Sequence, residues 1–192
     1  HEVALQYLEL LASNINVVTA NKIASSSQYA LYRQLKDTAR ERGVKFLFET
    51  NVGAALPIIS PINDLLKSGD RILRLEAVLS GTLNFIVNEL SHSNPLSHVI
   101  EMARQKEYSE PDPRIDLSGI DVARKILILA REAGYEMEPD EVVREPFIPA
   151  HLFADEPVAD FMKKVADLDH SFEIQRQSLV EQGLRMRYVA TL

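Results

Sequence analysis

The chain has 192 residues, 46% of them hydrophobic and 26% charged, which suits a globular protein of one domain or one domain with part of a second. Its net charge of −7 argues against the basic surface that nucleic acid or an anionic membrane calls for. The absence of cysteine excludes disulfides, thiolate catalysis and cysteine-bound zinc. No apolar run approaches the ~20 residues needed to cross a bilayer, the N-terminal segment with Glu2 and Glu9 is unlike a signal peptide, and a cytoplasmic setting is expected.

In chain order, Val3–Leu11 has apolar residues at helical spacing, breaks at Ser13–Asn14 and leads into the β-branched run Ile15–Val18. Helix followed by strand is half of an α/β unit, so the chain is expected to open inside a larger fold. Ser25–Arg42 reads as a helix stopped by Gly43, and Val44–Phe48 as a strand. Asn51–Pro57 is a turn before a helix over 58–67, and Ile72–Ser80 alternates as a strand with Leu73, Leu75, Ala77 and Leu79 on one face. Helices are predicted over 83–90 and 96–105, a loop over 108–119, and a helix from Asp121 to Ala133 ended by Gly134. A proline-rich loop, helices over 158–167 and 170–181, and a closing strand over 184–192 complete the chain. The strands are too few for a full doubly wound sheet. The expected fold is therefore α+β, one open mixed sheet covered by helices, with the remnant of a Rossmann-type nucleotide-binding domain at the N-terminus. The boundary is placed after residue 24, leaving 25–192 as a catalytic, substrate-binding and dimerisation domain truncated at its C-terminal end.

The stretch from Tyr108 to Lys125 carries the most chemistry. Glu110, Asp112 and Asp116 crowd a loop stiffened by Pro111 and Pro113. An exposed acidic turn is the simplest account of such a loop. On the following helix Asp121 and Lys125 are one turn apart, beside the apolar stripe Val122, Ile126, Leu129 and Ala133. At the edge of buried territory desolvation makes a lysine a usable acid–base group. A surface ion pair and a catalytic pair both fit this spacing. The five histidines have no metal-ligand spacing, and His92 and His98 read as solvated.

The string EPDPRIDLSGIDVARK, residues 110–125, closely resembles the substrate-binding and catalytic signature of homoserine dehydrogenases. NVVTANK (16–22), NVGAALPII (51–59) and SGTLNFI (80–86) resemble further segments of that family in the same order. The tail QGLRMRYVATL looks like the start of the returning segment in forms fused to aspartokinase. The resemblance implies reversible NAD(P)-dependent interconversion of L-homoserine and L-aspartate 4-semialdehyde, in threonine, methionine and isoleucine biosynthesis. It implies Lys125 as proton donor and acceptor, with Asp121 holding the reacting oxygen or orienting the lysine. Glu110 and Asp116 would receive the substrate ammonium, Gly81 and Thr82 would contact the substrate, and Lys22 would lie between cofactor and substrate. The backbone carbonyls of Glu49, Val52, Ala54 and Leu56 would hold a monovalent cation, usually sodium. The family is typically at least dimeric, so a homo-oligomer is expected.

Two residues depart from the family pattern. Glu107 stands where glycine usually precedes the tyrosine, and Ala55 where a second glycine is common, which puts a positive-φ turn there in question. No G-x-G-x-x-G follows a strand, so the cofactor's phosphate cradle is expected upstream of His1 and the fragment alone is expected to be inactive. A non-catalytic dimerisation or regulatory module that kept the fold is the alternative. A dehydrogenase of another semialdehyde is a third reading, and the lack of a cysteine nucleophile already removes the acylating kind.

Overall fold

Local chemistry accounts for where the elements begin and end. The computed structural model describes residues 2–154 and 156–192. The first helical stretch is split into α1 (Glu2–Leu5) and α2 (Tyr7–Ala12), followed by β1 (Val17–Val18), α3 (Tyr29–Arg42) and β2 (Phe46–Leu47). Then come α4 (Ile59–Lys67), β3 (Glu76–Ala77), α5 (Gly81–Glu89), α6 (Leu96–Gln105), α7 (Arg114–Leu117) and α8 (Ile120–Glu132). The chain continues through α9 (Val158–Ala166) and α10 (Asp169–Glu181) to β4 (Ala190–Thr191).

Helix α3 starts later than the periodicity predicts. Ser26 and Ser27 turn their hydroxyls back to the carbonyls of Lys22 and Ala24, and Gln28 is extended at φ −52°, ψ 138°. Serines that satisfy nearby backbone groups offer an alternative to helix, so residues 22–27 form a separate turn. The predicted loop over 108–119 contains the short helix α7, whose start is fixed by Asp112 accepting from the backbone N–H of Arg114.

The residues fall into two units. The first comprises His1–Leu79, Val122–Val143 and Thr191–Leu192, and the second Ser80–Asp121 and Arg144–Ala190. In the first unit β1 and β2 run parallel, Val17 opposite Phe46 and Val18 opposite Leu47, with α3 as the crossover that parallel strands require. Tyr7, Phe46 and Phe48 pack in sequence with their rings tilted, centroids 6.0 and 4.9 Å apart, and join Leu11 and Leu35 in the core. Leu75 and Leu192 exchange both backbone hydrogen bonds beside β3 and β4, the mark of an antiparallel pair.

The α+β class agrees with the expectation. The pairing does not: strands Val44–Phe48 and Ile72–Ser80, expected in one open sheet, shrink to β2 and β3, and each takes a different partner. Alternation sets which side chains turn inward but not which backbone lies alongside, and Leu73, expected on the inner face, is 85% exposed. The closing strand over 184–192 likewise reduces to β4.

The second unit is built of helices around Leu83, Ile86, Leu96, Val99, Ile100, Leu117, Ile148 and Phe161, all buried. Ser80 caps α5, accepting from the N–H of Leu83 at 3.1 Å, and Asp169 receives both the N–H and the hydroxyl of Ser97 at the start of α6. Helix α6 ends in a Schellman turn, in which the N–H of Tyr108 reaches the carbonyl of Ala103 with Glu107 left-handed at φ 57°. This is the position where the family pattern has glycine. Glu107→Gly removes the Cβ strain of a left-handed residue, worth about 1–2 kcal/mol, against the added unfolded-chain entropy of glycine. The expected net gain is about 0.5–1 kcal/mol, read as a melting temperature raised by roughly 1–4 °C. A lowered melting temperature would contradict it.

Candidate active-site residues in the two units

In the second unit the signature segment folds around Asp116. Its carboxylate accepts from Thr82 Oγ1 at 3.1 Å and from the N–H of Glu110 at 2.9 Å. Thr82 is buried and also reaches the carbonyl of Tyr108. Thr82, Glu110 and Asp116, from α5, the loop and α7, therefore share one cluster, with Gly81 next to Thr82 as the first residue of α5. The Glu110 side chain is exposed. Asp112, the third acid of the loop, is not part of this cluster: Arg114 clasps its carboxylate with Nε and Nη2 at 2.7–3.0 Å and holds its pKa below the usual range. Arg114 in turn lies over the Phe161 ring at 5.5 Å.

The end of the signature is held by the tail of the same unit. Phe147 donates its N–H to the carbonyl of Leu117, and Arg144 its Nη1 to that of Ser118. Gly119 has φ +72°, and a Cβ there would strike the Tyr188 hydroxyl, which is tied to the carbonyl of Glu145. Only glycine satisfies both the backbone angle and that close approach.

In the first unit Lys125 is half-buried on α8, and its ammonium donates to the carbonyl of Leu79 at 2.8 Å. Asp121, half-buried at the second position of the same helix, is counted with the second unit. Lys22 belongs to the turn before α3, where its carbonyl accepts from both the N–H and the hydroxyl of Ser26.

The turn from Glu49 to Leu56 has positive φ at Gly53 (83°) and Ala54 (52°), so the left-handed residues are these two and not Ala55. A Cβ on Gly53 would collide with the Ile58 side chain, so this glycine is required by space as well as by angle. The Glu49 carboxylate is occupied elsewhere, accepting from the N–H groups of Ile58, Ile59 and Ser60 and from the Ser60 hydroxyl at the start of α4. Burial alone would raise its pKa, but the bonds from Ser60, Ile58 and Ile59 outweigh that and lower it. Among the described residues no group of three or more His, Cys, Asp or Glu side chains could hold a metal ion, so a cation at this turn would rely on backbone and amide oxygens. Asn51 Oδ1 is buried there with no hydrogen-bond partner among the described residues. His92, expected to be solvated, is 88% exposed on its side chain.

Sequence reading missed Arg131 and Glu132, which are both buried near the end of α8. Glu132 accepts from the Tyr32 hydroxyl at 2.5 Å, Lys36 Nζ at 3.0 Å and Asn63 Nδ2 at 2.9 Å. Burial, with the Glu132 charge next, pushes the Tyr32 hydroxyl far above its ordinary pKa. The only local signal was two charges continuing the apolar run Ile126–Ala130 without a polar break.

A family model for homoserine dehydrogenase matches residues 57–192, over two thirds of the chain. This chain belongs to the homoserine dehydrogenase family. It is 40% identical over 187 residues to a bifunctional aspartokinase/homoserine dehydrogenase of Buchnera aphidicola, covering 97% of this chain and 23% of that one. A homoserine dehydrogenase of Paracoccidioides brasiliensis is 39% identical, with 97% of this chain and 53% of that one covered. The solved structure of a hyperthermophilic archaeal homoserine dehydrogenase in complex with NADPH shares 33% identity at a TM-score of 0.62, over 69% of this chain and 40% of that one. The chain thus spans from about a quarter to about half of the length of these relatives. No helix among the described residues is long and apolar enough to cross a membrane.

Proposed function

We propose that this chain supplies the catalytic and substrate-binding portion of a homoserine dehydrogenase, interconverting L-homoserine and L-aspartate 4-semialdehyde. The observation that carries the reading is the Thr82–Asp116–Glu110 cluster, in which Thr82 Oγ1 and the backbone N–H of Glu110 fix the Asp116 carboxylate, an anion suited to an ammonium group, while the Glu110 side chain stays exposed. A bound nicotinamide dinucleotide supplies the hydride acceptor in oxidation and the donor in reduction. Of these residues Lys22 alone is assigned to it, and its half-buried place in a hydrogen-bonded turn fits that role. In the oxidation direction the homoserine hydroxyl loses its proton to Lys125 as the carbonyl forms, and in reduction the Lys125 ammonium returns a proton to the developing alkoxide. Asp121 orients that lysine or holds the reacting oxygen, and Gly81 with Thr82 contacts the substrate. NAD(P) specificity is set by residues outside this set.

A monovalent cation, sodium by family resemblance, is assigned to the carbonyls of Glu49, Val52, Ala54 and Leu56. Two features support the fit: the backbone reversal at Gly53–Ala54 and the buried, unpartnered Asn51 Oδ1 on the same turn. Residues 1–24 are assigned to the end of the nucleotide-binding part and 25–192 to the catalytic and dimerisation part, in a cytoplasmic enzyme. Self-association as at least a dimer belongs to the same reading, and a monodisperse monomer by light scattering well above micromolar concentration would count against it.

The test is NAD(P)-coupled oxidation of homoserine by the complete protein that carries this chain. Glu110→Ala is expected to raise KM for homoserine by roughly 10-fold or more with a smaller change in kcat, because its carboxylate pairs with the ammonium in ground and transition states alike. An unchanged KM would remove Glu110 from the site.

A further inference from the structure

The first unit holds a buried cation that the proposed reaction does not use. The Arg131 side chain is 0% exposed, yet among the described residues none of its hydrogen bonds goes to a carboxylate, and Glu138 pairs with it only at 3.9 Å. Its guanidinium instead donates to three backbone carbonyls: Nη1 to Ser25 at 2.9 Å, Nη2 to Ser27 at 2.6 Å, and Nε and Nη2 to Met137 at 3.1 and 2.8 Å. Its face lies 5.2 and 5.6 Å from the ring centroids of Tyr32 and Tyr29. Burial lowers its pKa, the sign of a charge held away from water. Removing a charge from water without a tight counter-ion is expensive, and an apolar side chain of similar volume is often no less stable at such a place. Stability alone is therefore a poor account of an arginine here.

What the guanidinium holds is informative. Ser25 and Ser27 flank Ser26, whose N–H and hydroxyl both bind the carbonyl of Lys22. The same turn is gripped from a second side, where Asn51 Nδ2 lies 3.3 Å from the carbonyl of Asn21 and 3.4 Å from Ser25 Oγ. Arg131 itself stands six residues beyond Lys125 on α8, about 9 Å along a rigid helix.

We infer that Arg131 is a positioning residue: its planar fork locks the turn carrying Lys22 to the helix carrying Lys125, and so sets the separation of the two lysines. This rests on the dehydrogenase reading given above. Lysine in its place has one ammonium and no rigid fork, so it cannot span three carbonyls in fixed geometry. A displacement of the order of 1 Å between groups that act together costs about 100-fold in rate.

The experiment uses the complete protein with Arg131→Lys and Arg131→Met, measuring kcat per folded molecule in the cold, with the folded fraction taken from near-UV circular dichroism. Both variants are expected to lose roughly 10- to 100-fold in kcat while KM for homoserine stays within about threefold. A purely structural role would lower the folded fraction and leave kcat per folded molecule unchanged, and that result in either variant overturns the inference. Failure of both variants to fold would also overturn it, making Arg131 a stability residue. If the unsubstituted protein does not oxidise homoserine, the dehydrogenase reading fails by itself. Amide hydrogen exchange over residues 21–28 then decides the clamp. Exchange about 10-fold faster in the variants supports it, and unchanged exchange sinks it.

Discussion

Lys125→Ala in the complete protein is expected to lower kcat by roughly 10²–10⁴-fold while leaving cofactor affinity nearly unchanged. Hydride arrival at an aldehyde carbon leaves negative charge on oxygen, and a fixed ammonium both stabilises that charge and neutralises it with a proton. Those contributions exist mainly in the transition state, so their loss falls on kcat and kcat/KM together. The ammonium of Lys125 is held at a defined place by the Leu79 carbonyl at 2.8 Å, on a helix whose next residues, Ile126–Glu132, are all buried. A group so anchored has little freedom to be replaced by solvent. Lys125→Arg is expected to rescue little, because a guanidinium does not release its proton near neutral pH. Steady-state kinetics with both substrates, together with cofactor titration, measure this. Turnover of Lys125→Ala within a few-fold of the parent would show that another group moves the proton.

Glu132→Ala is expected to destabilise the first unit by about 2–4 kcal/mol. The Glu132 side chain is 1% exposed and serves three donors at once: Tyr32, Lys36 and Asn63. Its removal leaves the Tyr32 hydroxyl without its acceptor and the Asn63 amide with the Ile59 carbonyl alone, and opens a cavity between α8, α3 and α4. The expected loss lies toward the lower part of the range for broken buried ion pairs, because the Lys36 side chain keeps 36% of its surface in water and can rehydrate. Glu132→Gln keeps the volume and a carbonyl acceptor, so it should recover part of the loss. Urea denaturation of both variants, compared by midpoint at constant m, gives the values. A midpoint for Glu132→Ala equal to the parent's would mean that water replaces the carboxylate without penalty.

How far the sequence carries depends on the range of the interaction. Helix α6 lies where periodicity puts it, at Leu96–Gln105, and α8 is displaced by a single residue, because an apolar stripe at helical spacing and a glycine stop are encoded within a few positions. The signature residues are nominated by resemblance to the family, which a continuous string such as 110–125 makes possible. Pairing of strands is different. Phe46 and Ala77 both sit in apolar alternating runs, and only the packed chain decides that the first lies beside Val17 and that β3 pairs with β4.

The departures from the family's glycines show the same division. Sequence alone marks Glu107 and Ala55 as unusual, but φ is set by the path of the chain, and it is Glu107 and Ala54 that are left-handed. Among the three acids of the signature loop, composition treats Glu110, Asp112 and Asp116 alike. The fold separates them: Asp112 is neutralised by Arg114, Asp116 is fixed by Thr82, and Glu110 is left facing solvent. Arg131 and Glu132 are the furthest from sequence reach. By itself the sequence determines that they end a helix before Gly134. That both charges are buried, one on the carbonyls of Ser25 and Ser27 and the other on Tyr32, Lys36 and Asn63, is decided by partners between 69 and 106 positions away. A charge is tolerated without water only where such distant donors and acceptors converge on it, and no local pattern encodes that convergence.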